Sequence, residues 1–157
     1  MGLSTETSAP FLVRVRVSFS SAHRLCREGL SDEENFALYG KCSNPNGHGH
    51  NYDLEVAVVG DVDPLTGMVV NFYELTQLVD VHIFSKVDHK NLNTDVPFMR
   101  GVIPTAENMA KTFWEELEPY IKNGRLQSIT ISERDNNVVT YFGPREHSGW
   151  SKNVEEN

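Results

Sequence analysis

Hydrophobic and polar residues alternate along four segments of the chain, and this pattern predicts four β-strands. In residues 11–23 (FLVRVRVSFSSAH) the apolar residues from Val13 to Phe19 occupy odd positions and the polar residues even positions. That period is typical of a half-buried strand. Residues 48–59 alternate in the same way, with the apolar side at even positions. Residues 126–133 and 138–142 flank the turn sequence RDNN, so we expect them to form a hairpin.

Two segments between the strands have the spacing of amphipathic helices. Asn71 is expected to cap the first helix, with Glu74 as the returning half of a capping box. Thr105 is expected to cap the second helix, and Gly124 to end it. The two apolar stripes consist of Phe72, Leu75, Val79 and Ile83, and of Met109, Phe113, Leu117 and Ile121. Residues 27–35 are predicted to be a loop, and residues 68–70 a short strand.

The order of these elements predicts one α+β domain over residues 11–145. An antiparallel four-stranded sheet is expected to carry two helices packed on one face. Residues 1–10 are predicted to be a disordered tail, and residues 146–157 a polar tail.

Charge and cysteine content narrow the possible functions. The net charge of -8 over 157 residues argues against a general nucleic-acid-binding protein, because phosphate neutralisation needs a basic face. No apolar run is long enough to cross a bilayer, and residues 1–10 lack the features of a signal peptide. Cys26 and Cys42 are the only cysteines, too few for a disulfide framework. We therefore expect a cytoplasmic protein with free thiols and no membrane partner.

Three histidines continue the apolar faces of the first two predicted strands. His48 and His50 share the even-numbered face of the second strand, and His23 shares the odd-numbered face of the first. A buried imidazole without a partner is costly, whereas three converging imidazoles with an open fourth position form a catalytic zinc site. The alternative is a structural pair, His48 and His50, without metal. The surrounding stretch, residues 40–51, matches neither glycine-rich phosphate-binding pattern.

Asp88 and His89 are adjacent in the loop between the two helices. They are either a solvated helix-end pair or a general acid or base in which the carboxylate poises the imidazole. Glu133 continues the buried face of Ile129 and Ile131. A carboxylate on that face needs a hydrogen-bonding partner from the protein or from a ligand, unless the strand has left the core by that position.

Cys42 has neither a CxxC partner nor a third thiol for a zinc cluster. Lys41 beside it would favour the thiolate, and the alternative is inert packing. Arg24, Arg27 and Lys41 could hold an anionic group, or they could be ordinary solvated surface residues.

Six motifs, in this order and spacing, resemble the animal-type branch of the 6-pyruvoyl-tetrahydropterin synthase family. They are FSSAHRL, GKCSNPNGHGHNY, DPLTGMV, DHKNL, TAEN and ERDNN, and the resemblance spans residues 11–143. It implies the tunnelling fold, in which the sheets of several subunits join into a barrel. It also implies a homohexamer of two trimers, with active sites between subunits. The implied reaction converts 7,8-dihydroneopterin triphosphate to 6-pyruvoyl-tetrahydropterin and releases triphosphate, in tetrahydrobiopterin biosynthesis.

The resemblance also implies a cofactor and the roles of individual residues. One Zn2+ per subunit is expected, and Mg2+ could assist the triphosphate, for which Arg24, Arg27 and Lys41 are candidates. Ala106 stands where the family pattern has a second hydroxyl residue, so one substrate contact is not supported. The implied roles are zinc ligation by His23, His48 and His50; a general base at Cys42; a proton relay at Asp88 and His89; a pterin anchor at Glu133; and pterin contacts at Thr105 and Glu107.

Three other functions share part of this pattern. The 6-carboxy-tetrahydropterin synthase branch has the same fold and zinc histidines, but the cysteine in KCSNPNGHGH favours the pyruvoyl branch. A zinc- or pterin-binding module without catalysis and a generic zinc hydrolase are the other two.

Overall fold

The structure is a computed structural model that describes residues 10–134 and 136–144. The predicted tails, except for Pro10, lie outside these described residues. The strands are β1 (Phe11–His23), β2 (His48–Gly60), β3 (Lys90–Asn91), β4 (Arg125–Arg134) and β5 (Asn137–Tyr141). The helices are α1 (Asp32–Tyr39), α2 (Phe72–Val79) and α3 (Ala106–Leu117). Helix α2 continues through a π-helical turn, Asp80–Phe84, into a last α-turn, Ser85–Val87, and 3-10 turns cover Gly40–Ser43, Pro97–Met99 and Glu118–Tyr120.

The sheet has five strands in the order β3-β1-β2-β4-β5, one more than the sequence predicted. Strands β1 and β2 pair antiparallel along their whole length, from Phe11 opposite Gly60 to His23 opposite His48. The additional strand, β3, runs parallel to β1 over two residues, so the sheet is not purely antiparallel. Two residues are too few to show a period of two, which is why the sequence pattern did not predict this strand.

The core lies between one face of the sheet and the helices, as predicted. Val15 and Phe19 from β1 and Leu54 and Val56 from β2 are buried there, and each such side chain stabilises the fold by about 1.5–3 kcal/mol. The opposite face of the sheet is polar. Ser18 bonds to Asp53 across the two strands, and the Arg16 Nε donates to Glu55 at 2.6 Å.

Residues 27–35, predicted to be a loop, contain the start of helix α1. The Ser31 side chain accepts a hydrogen bond from the Glu34 backbone N–H, and the Glu34 carboxylate accepts one from the Ser31 backbone N–H, which forms a complete capping box. Asn35 is the buried residue of this helix. Because α1 has no apolar stripe, hydrophobic spacing could not predict it.

Three further details of the predicted elements are wrong. Residues 68–70 do not form a strand; the Met68 carbonyl instead accepts from the Asp63 backbone N–H and closes a turn. Phe72 is exposed rather than part of the buried stripe of α2. Helix α3 ends at Leu117, before the expected Gly124, and Pro119, which has no N–H to donate, lies in the 3-10 turn that follows.

The caps of α2 and α3 follow the prediction at Asn71 and Thr105, but the expected capping box of Asn71 with Glu74 does not form. Asn71 accepts from the Tyr73 N–H, and Thr105 accepts from the Asn108 N–H. None of the helices in the described part of the chain is both long and apolar enough to cross a membrane.

Candidate functional site

The three predicted histidines converge at the end of the sheet where β1 finishes and β2 begins. The antiparallel register places His23 opposite His48 and Ser21 opposite His50. Because all three side chains project to the helix-covered face, one nitrogen from each ring lies within 4.8 Å of the others. The described residues contain no other group of three or more potential metal-ligating side chains this close together. The alternation of side chains along the two strands therefore correctly predicted that these three histidines lie together.

The backbone carbonyl of Pro104 determines which nitrogen of His23 faces this centre. The His23 Nδ1 lies 2.8 Å from the Pro104 oxygen, and a carbonyl oxygen can only accept a hydrogen bond. The proton of a neutral His23 therefore sits on Nδ1, and the Nε2 lone pair points to the His48 Nε2, 3.0 Å away. A metal-bound imidazole commonly donates its second nitrogen to a carbonyl in this way.

Burial favours the neutral, metal-binding form of two of the three histidines, His23 and His50. Desolvation is the main cause that lowers the pKa of His23 to about 4, and the neighbouring His48 and His50 lower it further, against the hydrogen bond to Pro104. Desolvation also lowers the pKa of His50, against the nearby charge of Glu133. The buried His48 Nδ1 has no hydrogen-bond partner among the described residues. Three clustered imidazole nitrogens, none of them paired with a carboxylate inside the cluster, fit a divalent cation.

Glu133 lies near the histidine cluster, on the half-buried end of β4. Its carboxylate is close enough to influence the pKa of His50 and of the buried Tyr52. The pairing of β4 with β5 is irregular between Ser132 and Arg134, so strand parity does not by itself fix the direction of Glu133, and its place on the buried face stays a prediction. The sequence analysis did not single out Tyr52, although it follows His48 and His50 at the same spacing of two residues.

Cys42 lies in the 3-10 turn Gly40–Ser43 and is partly exposed. Its carbonyl accepts a hydrogen bond of 2.8 Å from the Leu25 N–H, which ties the turn to the segment that directly follows His23. A negative charge on Cys42 would contribute to the raised pKa of Tyr52. The turn that carries Cys42 is therefore attached close to His23 along the chain, and Cys42 is not among the clustered metal-ligating groups.

The start of helix α3 is attached to the metal centre through Pro104. Thr105, the next residue, caps the helix, and the Asn108 amide donates to the Ile103 carbonyl at 2.9 Å. Glu107 is exposed in the first turn. The structure thus brings this predicted substrate-contacting segment close to His23.

Asp88 and His89 are held at the edge of β1 by one residue, Ser20. The Asp88 carboxylate accepts from the Ser20 N–H at 2.9 Å, and the His89 N–H donates to the Ser20 carbonyl at 2.7 Å. His89 adopts a φ of 56°, which is uncommon for a residue with a side chain. Its Nδ1 lies 2.7 Å from the other Asp88 oxygen. The Ser20 N–H, followed by the His89 side chain, lowers the pKa of Asp88.

The Asp88–His89 pair does not join the histidine cluster within one chain. His89 is 82% exposed, and it borders a depression of about 550 Å³ on the polar face of the sheet, with Asn51, Asp53 and Arg134. His89 also borders a second depression, which His50 lines as well, so the pair lies at the edge of the sheet without belonging to the three-histidine group. The sequence predicted both groups, but it could not predict their separate positions.

The three basic residues that are candidates for binding the triphosphate differ in whether their side chains already have partners in the structure. The Arg24 side chain donates to Asp32 at 2.6 Å and to the Ser43 carbonyl at 2.8 Å, so it supports the loop that carries Cys42. Arg27 and Lys41 are exposed.

Comparison with known proteins identifies relatives over nearly the whole predicted domain. Residues 12–144 match the family described as 6-pyruvoyl tetrahydropterin synthase. The 6-pyruvoyl tetrahydrobiopterin synthases of Pongo abelii and Homo sapiens are 49% and 48% identical over 128 residues, which cover 82% of this chain and 88% of each relative. The structure of Caenorhabditis elegans 6-pyruvoyl tetrahydropterin synthase aligns with a TM-score of 0.81 at 41% identity, covering 87% of this chain and 97% of that one.

Proposed function

The chain belongs to the 6-pyruvoyl tetrahydropterin synthase family, and we propose that it converts 7,8-dihydroneopterin triphosphate to 6-pyruvoyl-tetrahydropterin. The reaction releases triphosphate and is a step of tetrahydrobiopterin biosynthesis. The observation that carries this proposal is the convergence of His23, His48 and His50. The charge of Glu133 influences His50, and the turn that carries Cys42 is tied by a backbone hydrogen bond to Leu25, two residues after His23. The two free cysteines support a cytoplasmic location.

The cofactor that we propose is one Zn2+ per subunit, bound by His23, His48 and His50. Three neutral imidazoles leave a fourth position open, as in catalytic zinc sites. When bound, zinc would act as a Lewis acid that binds the side-chain oxygens of the substrate and acidifies the adjacent C–H bond. The three-histidine cluster provides no carboxylate for a harder metal, so Mg2+ would enter with the triphosphate.

The remaining site residues would bind the pterin and move protons. The Glu133 carboxylate would accept hydrogen bonds from the amino and amide N–H groups of the pterin, and Thr105 and Glu107 would contact it from the start of α3. The Cys42 thiolate would remove the carbon-bound proton. The Asp88–His89 pair would return protons elsewhere on the substrate, with Asp88 holding the His89 ring at 2.7 Å.

Because Asp88 and His89 lie at the edge of β1 and are not among the clustered histidines, we propose that each active site combines residues from two copies of the chain. Only Ser21 and Ala22 of β1 pair with β3, so among the described residues the outer edge of β1 before Ser21 has no partner strand. The outer edge of β5 is also open. Pairing of these edges between copies would extend the sheets into a barrel, in a homohexamer of two trimers.

Substitution of Cys42 tests the catalytic assignment. Cys42→Ala should retain one Zn2+ per chain and lose release of triphosphate from 7,8-dihydroneopterin triphosphate. Cys26→Ala is the matched control, because Cys26 is the other partly exposed free cysteine, and it should keep both properties. Loss of zinc from Cys42→Ala would make Cys42 a ligand and would refute its assignment as the base.

The reaction products distinguish the proposed function from its alternatives. Formation of a 6-carboxy product would reassign the chain to the 6-carboxy-tetrahydropterin synthase branch. Binding of zinc and pterin without turnover would indicate a non-catalytic module, and hydrolysis of simple esters or amides at comparable rates would indicate a zinc hydrolase.

A mixing experiment tests the shared site. Cys42→Ala and His89→Ala should each be inactive alone. If one site takes Cys42 from one copy and His89 from another, subunits dissociated, mixed in equal amounts and reassembled should recover about a quarter of the unmodified activity. No recovery would place both residues in the site of a single chain.

A further inference from the structure

The turn that carries Cys42 is attached at two points to the segment that follows His23. The Cys42 carbonyl accepts from the Leu25 N–H at 2.8 Å, and the next carbonyl, that of Ser43, accepts from the Arg24 Nε at 2.8 Å. One hydrogen bond would leave the turn free to rotate about it, whereas two neighbouring bonds set its orientation. Because Ser43 is 3% exposed, water cannot readily replace the donor from Arg24.

The second attachment depends on the direction of the Arg24 side chain. The backbone of Arg24 is held separately, because the Asn93 side chain accepts from its N–H at 2.8 Å and donates to its carbonyl at 2.9 Å. The guanidinium is planar, with its donors in a rigid fork, and its Nη2 donates to the Asp32 carboxylate at 2.6 Å. Asp32 and Ser43 therefore bind different nitrogens of one guanidinium and together fix its plane.

Asp32 is itself held in place because it lies in the first turn of α1, directly after the capping residue Ser31. The buried side chain of Asn35 accepts from the Arg27 N–H at 2.7 Å. The same side chain donates to the carbonyls of Leu30 and Ser31 at 3.2 and 3.0 Å. Helix α1 therefore holds the Asp32 carboxylate at a defined place beside the chain that leaves β1.

The exposure of Asp32 indicates that this ion pair orients a side chain rather than stabilises the fold. The side chain of Asp32 is 65% exposed, and that of Arg24 is 24% exposed. An ion pair with such an exposed partner contributes little to global stability. Its effect is local, because it keeps the Arg24 guanidinium directed at the Ser43 carbonyl.

We propose that helix α1 is a brace for the candidate base Cys42, and that Asp32 and Arg24 are the positioning residues of this brace. Asp32 holds the guanidinium of Arg24, and Arg24 holds the Ser43 carbonyl. The turn then presents Cys42 from a fixed place relative to the end of β1, where the candidate metal ligands lie. This inference rests on the proposed function, because it takes Cys42 to be the base. It gives Arg24 a role other than binding the triphosphate.

Removal of the Asp32 carboxylate distinguishes the two possible roles of Arg24. If Arg24 positions the turn, Asp32→Ala should lower kcat for triphosphate release about tenfold, as expected for loss of one charged hydrogen bond, at unchanged KM and Zn2+ content. Glu33→Ala is the matched control, because Glu33 is exposed in the same turn of α1 and carries the same charge. If Arg24 instead binds the triphosphate, Asp32→Ala frees its charge, and a lower KM at unchanged kcat would overturn the proposal.

Substitution of Arg24 itself provides a second test. Arg24→Gln and Arg24→Lys should both lower kcat about tenfold at unchanged KM, because an ammonium group cannot reproduce the two bonds of the guanidinium fork. Full activity in Arg24→Lys would show that only the positive charge matters, and it would refute the positioning role.

Hydrogen exchange of the Leu25 N–H tests the brace without any substrate. This amide bonds to the Cys42 carbonyl, so a loosened turn exposes it to solvent. In protein supplied with Zn2+, its exchange should be about tenfold faster in Asp32→Ala and in Arg24→Gln, and unchanged in Glu33→Ala. Equal exchange in all variants would refute the brace. If exchange becomes faster in the two variants while the unmodified chain releases no triphosphate, the proposed function fails and the brace stands.

Discussion

The metal-free protein should lose stability as the pH falls below about 6.5, because His23 is buried as a neutral imidazole. The residue is 2% exposed, and burial is the largest cause that lowers its pKa from 6.5 to about 4. The hydrogen bond to Pro104 partly opposes this shift, and His48 and His50 add to it. In the metal-free protein, the pKa of His23 is therefore lowered only in the folded state. The unfolded chain binds the proton at the ordinary pKa of histidine.

The sign and size of the effect follow from the two pKa values. Between pH 6.5 and 4 the unfolded chain binds a proton at His23 that the folded chain does not, so stability rises with pH in this window. One pKa unit corresponds to about 1.4 kcal/mol. The shift from 6.5 to about 4 therefore contributes about 3 kcal/mol, which is fully present above pH 6.5 and lost by pH 4.

Urea unfolding of the chelator-treated protein, followed by circular dichroism at several pH values and one protein concentration, measures this contribution. His23→Gln should flatten the pH dependence between pH 6.5 and 4 relative to the unmodified chain. His82→Gln, which removes a surface histidine stacked on Tyr120, should keep the dependence of the unmodified chain. An equal pH slope in His23→Gln and the unmodified chain would refute the reasoning.

Three further substitutions should have measurable effects on stability. Gly143→Ala should cost about 2–3 kcal/mol, because a Cβ there would lie 2.5 Å from the Trp114 ring at a φ of +84°; a melting temperature equal to that of the unmodified chain would contradict this. Ser31→Ala removes the cap of α1 and should cost about 1 kcal/mol in urea unfolding, whereas Ser31→Asp should restore most of it. Asn93→Ala should cost about 2 kcal/mol and weaken Zn2+ binding, because the Asn93 amide bonds both the N–H and the carbonyl of Arg24, the residue after the proposed ligand His23. Unchanged zinc affinity would show that this loop does not support the proposed metal site.

Strand parity predicted the part of the site that depends on local periodicity. His23, His48 and His50 fall on the buried faces of β1 and β2 because side chains in a strand alternate strictly, and the observed register preserves that alternation up to the last pair, His23 opposite His48. On β4 the pairing becomes irregular between Ser132 and Arg134, so the same rule does not extend to Glu133. The alternation of β2 also places Tyr52 on the buried face, where its hydroxyl oxygen lies 3.3 Å from the His23 Nδ1.

The features that the sequence did not predict depend on non-local contacts. Strand β3 exists because the loop after α2 meets the edge of β1 near Ser21 and Ala22, and nothing in its own two residues indicates a strand. Helix α1 is formed by its capping box rather than by an apolar stripe. The capping sequence of Ser31 and Glu34 is readable in advance, whereas the pairing of β3 is not.

The separation of the acid–base pair from the metal centre follows from the geometry of β1. Ser20 binds Asp88 and His89 through its backbone, while its side chain bonds to Asn51 on the polar face. One residue later, the Ser21 side chain points to the other face and bonds to the Val87 carbonyl, in line with His23. A single strand thus positions His23 on its buried face and holds the Asp88–His89 pair at its edge, where His89 and His50 border the same depression. In the proposed assembly, a second copy of the chain would complete the site at this edge.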